Sequence, residues 1–208
     1  MGTDGGGGLR EQHKAQRRER ILDATRDLLR DGTEATISTE RIAERAGVSP
    51  ATVYNLIGPR EKVWEALAGG FVDRLEAELA VLDADDPREV VRATVRLFTG
   101  DPVVSRRMVR GWEESGLVFD RSPLGQLRRA MADVRARGVL RADVDADALA
   151  FAVGTSCVGA LHQWVAGLID DGRFLERALF GLDVVLAAAA ADAHRERLLE
   201  PLRTRGTA

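Results

Sequence analysis

Cysteine is almost missing from this chain: Cys157 stands alone among 208 residues. A single thiol can neither close an intramolecular disulfide nor build a Cys-based metal site, and its isolation fits a reducing compartment. The three histidines, His13, His162 and His194, lie too far apart in the sequence to pair as metal ligands, so no metal and no cofactor are expected. Lysine is nearly absent too, with only Lys14 and Lys62, which leaves phosphate contacts mainly to arginine and hydroxyl groups. The Ala-rich stretch from Val184 to Ala191 is far too short to span a bilayer, so no membrane segment is expected. Met1 to Leu9 carry glycine and threonine in place of a basic start leading into an apolar run, so no secretory signal is expected, and the cytoplasm is the expected location. Nucleophile–base pairs, carboxylate pairs and phosphate-binding glycine loops are not evident. Gly5 to Gly8 precede no Lys-Ser/Thr pair, and an enzyme is therefore not expected.

What is present is a helical chain with unevenly placed charge. The net charge of −3 argues against indiscriminate coating of nucleic acid. Within the stretch Arg10 to Arg20, however, Arg10, Lys14, Arg17, Arg18 and Arg20 face only Glu11 and Glu19, a local excess suited to phosphates. Gly2 and Gly5 to Gly8 suggest a flexible tail over residues 1–10. Ile21, Ala24, Leu28 and Leu29 then recur at helical spacing, and Asp31-Gly32 supplies a stop, which predicts a first helix from Glu11 to Arg30.

Short helices follow. Ser38 can cap one through Ala46, Gly47 can take the left-handed turn, and Ser49 can cap another through Asn55. Beyond Gly58, the pattern predicts helices over 59–82, 87–98, 102–112 and 122–137. A long helix capped by Asp145 is expected to reach Asp170, and a final one to run from Phe174 to Leu199. Nothing in the pattern suggests a hairpin or a run of strands, so the expected fold is all-α.

Residues 36–54 have the physical pattern of a helix-turn-helix. Ile42, Ala43 and Ala46 give the first short helix a small inner face, Gly47 permits a tight turn, and Val48 and Val53 plug the angle between the helices. Pro50, Ala51, Thr52, Tyr54 and Asn55 are then left on the outer face of the second helix, near its N-terminus.

Ile42-Ala43, Ala46-Gly47-Val48-Ser49 and Tyr54 match without a gap the pattern of TetR-family repressors, which this chain resembles. The likeness extends upstream through residues 20–24 and downstream through Arg60-Glu61. The lead-in over residues 138–145 resembles the approach to that family's dimerisation helix. The resemblance implies an N-terminal three-helix helix-turn-helix DNA-binding domain over residues 11–63 and a C-terminal helical ligand-binding and dimerisation domain over 64–208. It implies further that Thr39 and Tyr54 contact phosphates, that Pro50, Ala51, Thr52 and Asn55 approach bases, that Arg60 binds phosphate, and that Glu40 can reach a base. The chemistry is consistent: hydroxyls donate to phosphate oxygens, Asn pairs with adenine, and a carboxylate can accept from cytosine N4. Two departures stand out. Asn55-Leu56-Ile57 replaces the family's aromatic or His pair ending in Phe, which removes one phosphate donor and shrinks one plug.

Soft and aromatic side chains concentrate in the middle of the C-terminal portion, where the resemblance places a ligand pocket. The candidates are Phe98, Met108, Trp112 and Phe119, with Met131, Cys157, Leu161 and Trp164. An apolar stripe in a helical bundle is also what ordinary core packing requires. The expected partners are a double-stranded palindromic DNA operator, a small and largely apolar effector, and a second copy of the chain forming a homodimer. The competing expectation is an effector-independent DNA-binding protein whose C-terminal half only dimerises.

Overall fold

The computed structural model describes residues 5–32, 37–82, 86–114 and 124–204. Among them the chain is all-α, as expected, and the β contact they contain is an isolated antiparallel bridge between Leu140 and Ala190. The helices are α1 (Gly5–Asp31), α2 (Thr39–Ala46), α3 (Pro50–Leu56), α4 (Arg60–Leu82), α5 (Pro87–Thr99), α6 (Pro102–Glu114), α7 (Leu124–Ala136), α8 (Ala146–Val165), α9 (Asp171–Ala189) and α10 (Arg195–Thr204). They fall into two compact units, one of Met1–Gly70 with Asp101–Phe119 and one of Phe71–Gly100 with Asp120–Ala208.

In the first unit α1 buries Ile21, Leu22, Leu28 and Leu29, and packs against α2, α3 and α6. The place of α6 in this unit follows from polar contacts with the end of α1. The last carbonyls of a helix have no partner within it, and Arg107 of α6 donates its guanidinium to the carbonyls of Leu29 and Arg30. Arg30 in turn pairs with Asp101 at 2.6 Å. Gly111 lets α6 approach the buried Trp64 of α4, because a Cβ at that position would lie 2.7 Å from the indole.

In the second unit α8 packs against α7 and α9, α5 against α7 and α9, and α10 against α9. The α8–α9 contact is close at Gly181, where a Cβ would fall 1.9 Å from Ser156 Oγ. Asp183, fully buried on α9, is neutralised by Arg88 of α5. An isolated carboxylate at such a site would carry a large desolvation cost, which this pairing offsets in part.

Several boundaries differ from those read in the sequence. The first helix starts at Gly5, not Glu11, because propagation adds a backbone bond per residue once a helix is nucleated, even where glycine disfavours it. The long helix stops at Val165, five residues before Asp170, where Gly167 takes a left-handed φ of 74°. Asp170 is then the N-cap of α9, its carboxylate accepting from the Arg173 amide at 2.8 Å. The expected final helix is two helices. Its Ala-rich middle is interrupted where Arg141 N donates to Ala189 O and Ala191 N to Val139 O, each at 3.0 Å. Among the described residues α8 is long and apolar enough to cross a membrane by length and composition alone, a test that the core helix of a helical bundle also passes. It uses that composition in part for packing, burying Ala150, Val153, Ala160 and Trp164.

Candidate nucleic-acid interface

The turn between α2 and α3 is fixed by a short series of backbone devices. Ser38 caps α2 by accepting from the Arg41 amide at 3.3 Å, and Ser49 caps α3 by accepting from the Thr52 amide at 3.2 Å. Pro50 occupies the first turn of α3, where its missing N–H leaves no intrahelical bond unmade. Gly47 sits in the left-handed region at φ 64° and ψ 40°, donating to Glu44 O while Val48 N donates to Ala43 O, the paired bonds of a Schellman turn. Ile42, Ala43 and Val53 are buried between the helices.

These devices leave one face of α3 open. Pro50, Ala51, Tyr54 and Asn55 are all exposed, at the i, i+1, i+4 and i+5 spacing of a single helix face, while Val53 is 0% exposed. Tyr54, at 62% exposure, presents its ring and hydroxyl outward. Thr52 is half-buried, and its hydroxyl lies 2.8 Å from Ser49 Oγ, so its first role is within the cap. Thr39 is the half-buried first residue of α2, followed by the exposed Glu40. The Glu40 carboxyl is held below its ordinary pKa by its own backbone amide and then by the Ser38 hydroxyl, so it is an anion at neutral pH. Arg60 is exposed at the start of α4.

The pocket candidates fall in both units. Phe98 and Trp164 are core residues of the second unit, in an aromatic group with Phe71 and Phe174. Phe71 and Phe98 centroids lie 4.4 Å apart, and Trp164 stacks on Phe174 at 5.3 Å. The Trp164 indole N–H donates to Asp171 at 2.6 Å, so its polar atom is satisfied within the protein. Met131 is fully buried in the same unit, whereas Leu161 and Cys157 are half-buried on α8. Burial pushes the Cys157 thiol up to about 11, which keeps it protonated and unreactive at neutral pH. Met108 is a buried residue of α6 in the first unit, Trp112 lies on the same helix, and Phe119 lies outside the described residues.

Sequence reasoning passed over Phe71 and Phe174 as members of the aromatic group, because helical periodicity marks them as core without saying which core. It also passed over Arg88 and Asp183. A lone Asp in the apolar run from Leu182 to Leu186 was the available signal for that pair.

Residues 21–56 match bacterial regulatory proteins of the tetR family. Over 76 residues the chain is 37% identical to the HTH-type transcriptional regulator AlkX of Mycobacterium tuberculosis, a match covering 36% of this chain and 36% of that protein. The chain thus spans about a third of the length of that curated relative. Among solved structures, SmeT, the repressor of the Stenotrophomonas maltophilia multidrug efflux pump SmeDEF, superimposes with a TM-score of 0.59 at 24% identity, covering 84% of this chain and 91% of that one. A structure solved to explain control of antibiotic production by bacterial hormones gives 0.63 at 22% identity, covering 84% and 97%. At these identities the structural likeness shows a shared fold.

Proposed function

We propose that this chain, whose residues 21–56 match bacterial regulatory proteins of the tetR family, is a transcriptional repressor of that family that binds a palindromic operator as a homodimer in the cytoplasm. The observation that carries this reading is the open face of α3 over a buried Val53, held by two serine caps and a glycine turn. A helix presented this way can enter a major groove N-terminus first. Asn55, Ala51 and Pro50 are the base-reading residues, with Thr52 and Glu40 at their margin. Tyr54, Arg60 and Thr39 hold phosphates and set the register.

The dimer reading has its own support. Phe151 and Val158 on α8 and Phe180 and Val184 on α9 are exposed, at 64%, 51%, 46% and 42%. Four large apolar side chains on the open faces of two packed helices are the surface that a two-fold mate would cover. Gly159 on the exposed side of α8 has nothing within 4 Å of a built Cβ, which leaves room for close approach.

For the effector the observations favour two readings. A small, largely apolar molecule entering among Phe98, Trp164, Met131 and Leu161 would weaken operator binding, and operator would weaken its binding by the same factor. The satisfied Trp164 indole and the packed aromatic group support the second reading, in which the C-terminal half only dimerises.

The test is selection of duplexes from a random library by the wild-type chain, followed by affinity measurement. A palindrome should be enriched, Asn55→Ala should change base preference, and Arg60→Ala should weaken all sequences alike while lowering the salt slope by about 2, one phosphate contact per protomer. Equal affinity for the selected and random duplexes at physiological salt would overturn the reading. Quenching of tryptophan emission by an added apolar compound, with reduced operator affinity, would decide for the effector-responsive form.

A further inference from the structure

We propose that the projecting N-terminal part of α1 is a second DNA-contacting element, a basic stripe that lies along backbone phosphates beside the groove occupied by α3. The proposal rests on the DNA-binding reading above and extends it to residues outside the helix-turn-helix.

Residues 8–20 of α1 are exposed throughout, about 20 Å of helix that packs on nothing in the chain's described residues. The burial of α1 begins at Ile21. The face that is buried from there on, through Ile21, Ala24, Thr25 and Leu28, continues upstream at the same helical register as Arg10, Lys14, Arg17 and Arg18. Lys14 and Arg17 precede Ile21 by seven and four residues, Arg18 precedes Thr25 by seven, and Arg10 precedes Leu28 by eighteen, all spacings that return to one side of a helix. The stripe therefore continues the side of α1 that is buried in the first unit, where α1 packs against α2, α3 and α6. The other end of α1 is tied to α6 through Arg107 and Asp101, so the charged end is the one directed away from that attachment.

Three of the four cations on the stripe have no acidic partner among the described residues, and Lys14 is the fourth. Glu11 is paired with Lys14 at 4.0 Å and Glu19 with Arg26 at 3.0 Å, while Arg10, Arg17, Arg18 and Arg20 make no ion pair among the described residues. Three of the four cations on the stripe are arginine, whose planar fork matches phosphate oxygens. Contacts of this kind add affinity and orientation without reading sequence.

The test uses the full chain with Arg10→Ala, Lys14→Ala, Arg17→Ala and Arg18→Ala combined. All four side chains are exposed, so circular dichroism should show unchanged helix content. The probes are a duplex enriched by the wild-type chain from a random library of about 40 base pairs and the same duplex trimmed flush to its base-read half-sites. On the long duplex the variant should bind at least ten-fold more weakly at about 0.15 M salt, with a slope of log K against log salt shallower by roughly 2 or more and an unchanged ranking of sequences. Trimming should weaken the wild type and leave the variant nearly unaffected. Equal slopes and affinities on the long duplex would make the stripe a solvated helix face and overturn the proposal, as would a variant that loses as much on trimming as the wild type. Failure of the wild type to enrich any duplex would instead remove the DNA-binding reading itself, and this proposal with it.

Discussion

The helix α3 has seven residues and buries only Val53, whereas α8 has twenty and buries six, among them Val153, Ala160 and Trp164. A seven-residue helix is not stable alone in water. Its polar outer face must be aimed by local devices, and Ser49, Pro50 and the Gly47 turn supply them. The face of α8 and α9 that carries Phe151, Val158, Phe180 and Val184 needs no such aiming, because burial is non-directional and is satisfied by any complementary apolar surface. The proposed recognition therefore depends on backbone conformation, and the proposed self-association on exposed area.

Two glycines show the same contrast. Gly47 is required by its positive φ, with nothing within 4 Å of a built Cβ, while Gly181 is required by space, with Ser156 Oγ 1.9 Å from one.

The largest effect should come from placing a charge on the apolar face. Val184→Glu should give a monomer with full helix content and no measurable operator binding, the association free energy falling by about 2 kcal/mol or more. Sedimentation with circular dichroism checks it, and a wild type that is monomeric at micromolar concentration with binding intact would break the comparison. Next in size, Gly181→Ala should cost about 1–3 kcal/mol through overpacking against Ser156. Adding Ser156→Gly should recover part of that loss, read as the midpoint of urea unfolding.

Gly47→Ala should cost about 1–2 kcal/mol through its left-handed backbone alone. No neighbouring substitution should rescue it, and Gly47→Asn should be milder, because Asn tolerates that region. The smallest effect is at Cys157. Its folded pKa of about 11 lies above the unfolded value near 8.5, so the thiol's contribution is fully present below the unfolded pKa and is lost as pH rises toward the folded one. Unfolding midpoints compared with Cys157→Ala should be flat in pH below about 8 and diverge above it. A thiol alkylated rapidly in the native chain at pH 7 would contradict this.

The helix-turn-helix was the most legible region because its determinants are local. Ser38, Gly47, Ser49 and Pro50 each act within four residues of their own position, so spacing alone placed α2 and α3 to within a residue of where they lie. The open face of α3 was legible for the same reason, once Val53 was assigned to the inside. Thr52 was only half legible, since the sequence does not say that its hydroxyl would sit beside Ser49.

The sequence by itself determined the all-α class, the caps and turn of the recognition segment, and the apolar excess on the two long helices, since periodicity and capping are properties of neighbouring residues. Tertiary structure alone decided which unit α6 joins, through Arg107 on the end of α1 and Gly111 against Trp64. It also decided where the Ala-rich helix breaks, because the strand-like contact of residues 139–141 with Ala189 to Ala191 competes with continued helix. It placed Phe98 and Trp164 with Phe71 and Phe174. Those contacts join residues tens of positions apart, and a periodic apolar pattern specifies that a face is buried without specifying its partner.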